Sequence, residues 1–371
     1  MKIGLATIAR WKFVFLCLVA VCGPSYLSMA AAQESFISPA DARIELVGRY
    51  DKTDPALPRL AFPGSGIRLR FQGTWIGLQV SSDSDKSALT VVIDHADPKL
   101  QLLEPGDNQI LLADKLADES HTVEIYKRTE TSQGILTVKG IQLPNDATLL
   151  TPLPLPARKL MFIGDSVTCG AGVNSNAECK PDSFNPANDA YDSYGMVLSR
   201  HLDAQAHLVC YGGRGLERDY RGLGIAEGVL NAPQFMELSV PSDDPAKRAS
   251  WNAKNWQPEA IFISLGTNDF NLQKSKPLDE KKWVSDYLDL LKSVRADYPQ
   301  AYVFLTGGAM VTNPLLGQLI QQVVDTAKDG RTLYVPGVHY PGNGCSGHPT
   351  RAQHLHMADD LEPVMRSTLG W

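Results

Sequence analysis

The sequence predicts an α/β protein in two parts, an antiparallel β-sandwich of jelly-roll type followed by a three-layer α/β/α domain built on a parallel sheet. Three observations carry that reading. Residues 36–148 alternate apolar and polar side chains in short runs broken by Gly, Asp and Pro, the pattern of half-buried strands. From residue 159 onward, apolar runs of strand length alternate with helical patterns, the grammar of a parallel sheet covered on both faces. Between the two lies "LPNDATLLTPLPLPARK", whose prolines predict an extended tether.

The elements follow in order. "GIRLRFQGTWIGLQV", "ALTVVIDHADPKLQLL", "HTVEIYKRTE" and "GILTVKGIQL" supply strands of the sandwich, set at residues 33–148 with the linker at 149–158. In the second domain, residues 159–371, strands are expected at Leu160–Ile163, Ala206–Tyr211, Ala260–Leu265, Tyr302–Thr306 and Thr332–Val335. "SYGMVLSRHL" and "KKWVSDYLDLLKSVRADY" read as helices between them. Residues 211–256 read as loops over one end of the sheet.

Residues 1–32 read as an export signal. Lys2, Arg10 and Lys12 precede the apolar run Phe13–Val21, and Ala30-Ala31-Ala32 offers a small-residue cleavage site. The apolar run is too short to span a bilayer comfortably, so no membrane partner is expected after cleavage. The whole chain carries a formal charge of -6, and losing three basic residues with the signal makes the remainder more acidic. Such a surface disfavours nucleic acid as a partner and suits a neutral substrate. Export permits disulfides, and Cys169 and Cys179, flanking a short Gly/Asn-rich loop, are the expected pair.

The chemistry collects where the apolar runs of the second domain end, the place where open α/β sheets bind ligands. After the first run comes Gly164-Asp165-Ser166; after the second, "GGRG" at Gly212–Gly215; after the third, "GTND" at Gly266–Asp269; after the last, "CSGHPTRAQH". A serine, glycine amides, an asparagine amide and a histidine would share one rim. Acyl transfer needs that set: a nucleophile, a base for its proton and donors for the developing oxyanion. In isolation Ser166 would read only as a helix cap.

With these blocks in this order the second domain resembles the SGNH (GDSL-type) hydrolases. "GDSVTCGAG", "SYGMVLSRHL", "GGRGL", "SLGTNDF" and "GCSGHP", with a sandwich ahead of them, resemble carbohydrate esterase family 2 more narrowly. The resemblance spans roughly residues 60–365. It implies Ser166 as nucleophile and His348 as general base, then general acid toward the leaving sugar oxygen. It implies an oxyanion hole of the Ser166 and Gly213 backbone amides and the Asn268 side chain, with Gly215 a rival to Gly213. Pro349 after His348 suits a helix start. Ser346 stands where many relatives carry Asp, so a Ser-His dyad is expected, with a backbone carbonyl orienting the imidazole.

The resulting expectation is a secreted carbohydrate O-acetyl esterase acting on acetylxylan or acetylated mannan, without cofactor or metal. Another acyl ester, such as a bacterial exopolysaccharide, is the alternative substrate. A carbohydrate-binding protein with a decayed site is the alternative of another class; Ser346 favours it, while Ser166, Asn268 and His348 oppose it. His348, His354 and His356 do not make a metal cluster, because "HLH" in a helix points its two histidines to different faces. Nor is there a phosphate-binding G-x-x-x-x-G-K-[ST] or a G-x-S-x-G elbow.

Overall fold

The computed structural model describes residues 34–174 and 184–371. The export signal and Cys179 lie outside the described residues.

Among the described residues, eleven strands build the sandwich: β1 Glu34–Ile37, β2 Glu45–Val47, β3 Arg59–Leu60, β4 Gly66–Gly73, β5 Ile76–Ser82, β6 Ala88–Ile93, β7 Lys99–Leu102, β8 Gly106–Ala113, β9 Glu119–Lys127, β10 Leu136–Pro144 and β11 Thr148–Leu150. One sheet runs β1-β10-β5-β8 with β3 attached to β10, the other β11-β4-β9-β6-β7 with β2 attached to β4. Inward positions two residues apart, such as Ile67, Leu69 and Phe71 or Val123 and Ile125, close the core between the sheets. The structure corrects the reading of 149–158 as tether throughout. Leu149 and Leu150 belong to β11, which pairs with β4, because Leu149 is buried in the sandwich core. The irregular stretch begins at Thr151 and ends where the next strand starts at Arg158.

The second half is a five-stranded parallel sheet: β12 Arg158–Gly164, β13 Ala204–Cys210, β16 Ala260–Ser264, β17 Tyr302–Thr306 and β18 Thr332–Tyr334. β14 Leu238–Val240 and β15 Ala249–Ser250 form a separate ribbon within the stretch expected to be all loop. Strand order is β13-β12-β16-β17-β18. Alternate side chains serve opposite faces. Met161, Ile163, Val209, Ile261, Ile263, Val303 and Leu305 pack in one core, and Leu160, Phe162, Leu208, Phe262 and Phe304 in the other.

The helices, in chain order, are α1 Ser166–Cys169, α2 Phe184–Ala187, α3 Tyr194–His201, α4 Ala232–Phe235, α5 Thr267–Phe270, α6 Glu280–Asp297, α7 Pro314–Ala327 and α8 Arg351–Leu369. α6 and α7 cover the first face and α3 and α8 the second. The apolar residues Trp283, Tyr287, Leu290, Leu291 and Val294 of α6 recur at helical spacing, and Asp279 caps its start by accepting from Lys281 and Lys282.

The sandwich is built into this domain. Its Phe62 lies in one core and its Tyr126 in the other, and residues 34–371 form one compact unit. Arg49 is buried in the second half, donating to the Met236 carbonyl at 2.6 Å with its guanidinium over Trp251. Trp256 stacks on the buried His207, so it fills core.

Candidate active site

The strand order is that of a doubly wound sheet whose direction of winding reverses between β12 and β16, and sheets of this kind bind ligands in the crevice beyond the carboxyl ends of the strands at that point. Register places Gly164, Cys210 and Ser264 side by side at that end. Ser166, the Gly212–Gly213 turn and Asn268 lie two to four residues beyond them, on one rim.

Ser166 opens α1. Asp165 caps that helix, accepting from the Val167 N–H at 3.0 Å, and burial pushes its carboxyl up to about 6. Gly164 and Gly170 bracket the turn. A Cβ at Gly164 would collide with Thr168, and Gly170 holds φ +80 against the Asp189 carbonyl.

His348 Nε2 is 2.8 Å from Ser166 Oγ. Its Nδ1 is 3.0 Å from the Cys345 carbonyl oxygen. With Nδ1–H donating to that oxygen, Nε2 carries the lone pair that faces the serine hydroxyl. A tight turn at Cys345–Gly347 aims the carbonyl, with Ser346 at φ 54 and Gly347 at φ 75. Burial lowers the His348 pKa, and the Cys345 carbonyl pulls the other way. His348 itself stands outside α8, whose cap is Thr350; Pro349 therefore precedes the helix and does not open it.

The glycine block follows β13, whose end lies beside that of β12. Arg214 N–H donates to the Tyr211 carbonyl and Gly213 holds φ +75, the pattern of a type II turn with glycine at its third position. Asn268 Nδ2 donates to the Arg214 carbonyl at 2.9 Å, so the asparagine and the glycine turn are tied together. Gly215, the rival to Gly213, instead packs against the Asp269 carboxylate. Asp269 anchors the loop by accepting from the amides of Leu216, Glu217 and Arg218 at 2.8 to 3.2 Å. Arg214 Nη2 donates to both carboxylate oxygens of Asp243, each at 3.0 Å.

Sequence reasoning missed several residues that hold this site. Cys169 is bonded to Cys210, not to Cys179. The reason is the fold: α1 returns beside the end of β13, leaving the two Cα atoms 5.6 Å apart, although 41 positions separate them. Asn188 accepts from the Gly172 N–H at 3.1 Å, and a Cβ at Gly172 would meet His348. Loop residues of the sandwich, Glu130, Thr131 and Gln133, reach the underside of the site. "TETSQG" reads as a polar turn, and nothing in it signals that destination.

A serine hydroxyl and an imidazole joined at the crevice of a three-layer α/β/α fold, with amide donors alongside, define a serine-type hydrolase. Comparison with known proteins narrows that class. The carbohydrate esterase 2 N-terminal family matches residues 46–154, and the GDSL-like lipase/acylhydrolase family matches residues 162–360. The chain is 30% identical over 338 residues to an acetylxylan esterase / glucomannan deacetylase of Cellvibrio japonicus, covering 90% of this chain and 91% of that protein. It is 31% identical over 334 residues to a cellulase/esterase of Acetivibrio thermocellus, covering 87% of this chain but 39% of that longer protein. A solved family two carbohydrate esterase from Cellvibrio japonicus superposes with TM-score 0.84 at 29% identity, covering 91% of this chain and 99% of that one. Another from Clostridium thermocellum, in complex with cellohexaose, gives 0.78 at 28% identity, covering 88% and 99%. The chain belongs to carbohydrate esterase family 2, within the GDSL-type hydrolases, and is a carboxylic ester hydrolase.

Proposed function

We propose that this protein is a secreted O-acetyl esterase that removes acetyl groups from plant cell-wall polysaccharide, acetylxylan or acetylated mannan, through an acetyl-enzyme on Ser166. The observation that carries the reading is the hydrogen bond between Ser166 Oγ and His348 Nε2, with the far nitrogen held by the Cys345 carbonyl. His348 takes the hydroxyl proton as Oγ attacks the acetyl carbonyl. The oxyanion that forms is held by the backbone amides of Ser166 and Gly213 and by Asn268 Nδ2, whose other hydrogen serves the Arg214 carbonyl. Collapse expels the sugar oxygen, to which His348 returns the proton. Water activated by the same imidazole then releases acetate. No step calls for a cofactor or metal.

The substrate class follows from the relatives, whose names specify acetylxylan and glucomannan. The Tyr220 ring, 53% exposed and packed beside Gly213, offers a flat apolar face for a sugar. Export is supported by the signal-like sequence of residues 1–32 and by the Cys169–Cys210 disulfide, which persists in oxidising compartments.

The test is acetate release from acetylated xylan, acetylated glucomannan, an acetylated bacterial exopolysaccharide and 4-nitrophenyl acetate, by wild type and Ser166→Ala. Release from xylan or glucomannan that disappears with Ser166 is the expected result. Release from the exopolysaccharide or the nitrophenyl ester alone would refute the substrate class. No release from any of them by folded wild type would refute the esterase.

A further inference from the structure

The loop that follows β9 in the sandwich touches both halves of the active site. Thr131 Oγ1 donates to the Cys210 carbonyl at 2.7 Å, at the strand end from which the glycine turn departs. Gln133 Oε1 accepts from Asn188 Nδ2 at 2.6 Å, and Asn188 in turn holds Gly172 beside His348. Between them Glu130 is directed at the glycine turn itself. Its carboxylate occupies the space over Gly212 that a Cβ would take, with the Gly212 N–H facing it. Lys127 Nζ holds the loop from below, donating to the carbonyls of Thr129 and Glu130 at 2.6 and 2.7 Å.

A buried carboxyl is a costly way to fill space, since desolvation opposes its charge. Here burial and the neighbouring Asp165 push it up to about 7, while Lys127 and the Gly212 N–H pull it down. Buried titratable groups of this kind cluster at functional sites. Gly213, the next residue, has no side chain of its own to fix it, and its φ of +75 makes the turn sensitive to whatever holds Gly212.

We propose that Glu130, supplied by the β-sandwich, is a positioning residue of the esterase site, fixing the Gly212–Gly213 turn so that the Gly213 N–H meets the acyl oxygen. The sandwich is on this account part of the catalytic apparatus. The inference rests on the oxyanion role given to Gly213 above.

The experiment compares Glu130→Leu, which keeps volume but takes away the oxygen that the Gly212 N–H faces, with Glu130→Gln, which keeps an oxygen acceptor. Rates with 4-nitrophenyl acetate and an acetylated xylo-oligosaccharide are split into kcat and KM, beside thermal unfolding of each protein. An oxyanion donor acts in the transition state, so Leu lowers kcat by about 10- to 100-fold with KM within about threefold, and Gln restores kcat to within about threefold of wild type. An unchanged kcat in the leucine variant overturns the proposal. So does a loss that vanishes when rates are scaled to folded protein, or a glutamine variant no better than leucine. Glu130→Met provides the same contrast should the leucine variant not fold. A folded wild type without esterase activity would overturn the proposed function and this inference together, whereas an active wild type with an unimpaired leucine variant overturns this inference alone.

Discussion

The imidazole of His348 is oriented by the main chain of Cys345: the residue that ends three positions earlier lends its carbonyl oxygen to Nδ1 at 3.0 Å. Many hydrolases fix their histidine with a carboxylate, which also stabilises the imidazolium. A carbonyl fixes the tautomer and the ring plane. The positive φ at Ser346 and Gly347 is what turns that carbonyl toward the ring.

The pH profile follows from the histidine's surroundings. Burial lowers the His348 pKa, and on the proposed mechanism the neutral ring is the competent base. Activity therefore persists as pH falls and is lost only below the ordinary histidine value of about 6.5. The acid limb of kcat/KM for 4-nitrophenyl acetate checks this; a midpoint above 7 would contradict it.

Asn268→Ala removes the tie to the Arg214 carbonyl and, on the proposed mechanism, one oxyanion donor. We expect kcat to fall about 10²- to 10³-fold with little change in KM. A loss confined to KM would assign Asn268 to ground-state binding.

Gly172→Ala tests the packing behind the histidine. Gly172 has φ +69, and a Cβ there would lie 2.8 Å from both His348 Cβ and the Cys345 carbonyl oxygen. The left-handed conformation alone costs an alanine about 1–2 kcal/mol. Displacing His348 should reduce kcat by at least about tenfold, since catalytic groups must be held within about 0.5 Å. Full activity in the variant would show that the loop shifts without consequence.

The disulfide joins α1, the helix that Ser166 opens, to β13. Closing a loop across a separation of 41 residues is worth about 4 kcal/mol in the chain-entropy account. The Cys169→Ala/Cys210→Ala double variant should lose about 2–4 kcal/mol in urea unfolding. Unchanged stability would mean that the link constrains nothing in the unfolded chain.

Much of this was legible in the sequence because the parallel sheet is buried on both faces, and such strands read as plain apolar runs. Tyr302–Thr306 is found where its run predicts, and the other four strands differ from theirs by a few residues at the ends. Ser166, Asn268 and His348 stood out because each follows a strand or sits in a short motif, and the structure pairs the serine with the histidine and ties the asparagine to the glycine turn. What was not legible depends on packing between distant segments. Cys210 faces Cys169 only once β13 lies beside β12. Leu149 and Leu150 form a strand only because β4 offers an edge. Glu130 gains its place from the docking of one domain on the other, and a glutamate in a polar turn carries no trace of that.

The most direct measurement is the site of covalent capture. The protein is treated with a fluorophosphonate, digested and mapped by mass spectrometry, in wild type and His348→Ala. A single adduct on Ser166, forming at least about a hundredfold more slowly without the imidazole, is the result the Ser166–His348 pairing predicts. An adduct on another residue, or one on Ser166 forming equally fast in both proteins, would contradict it.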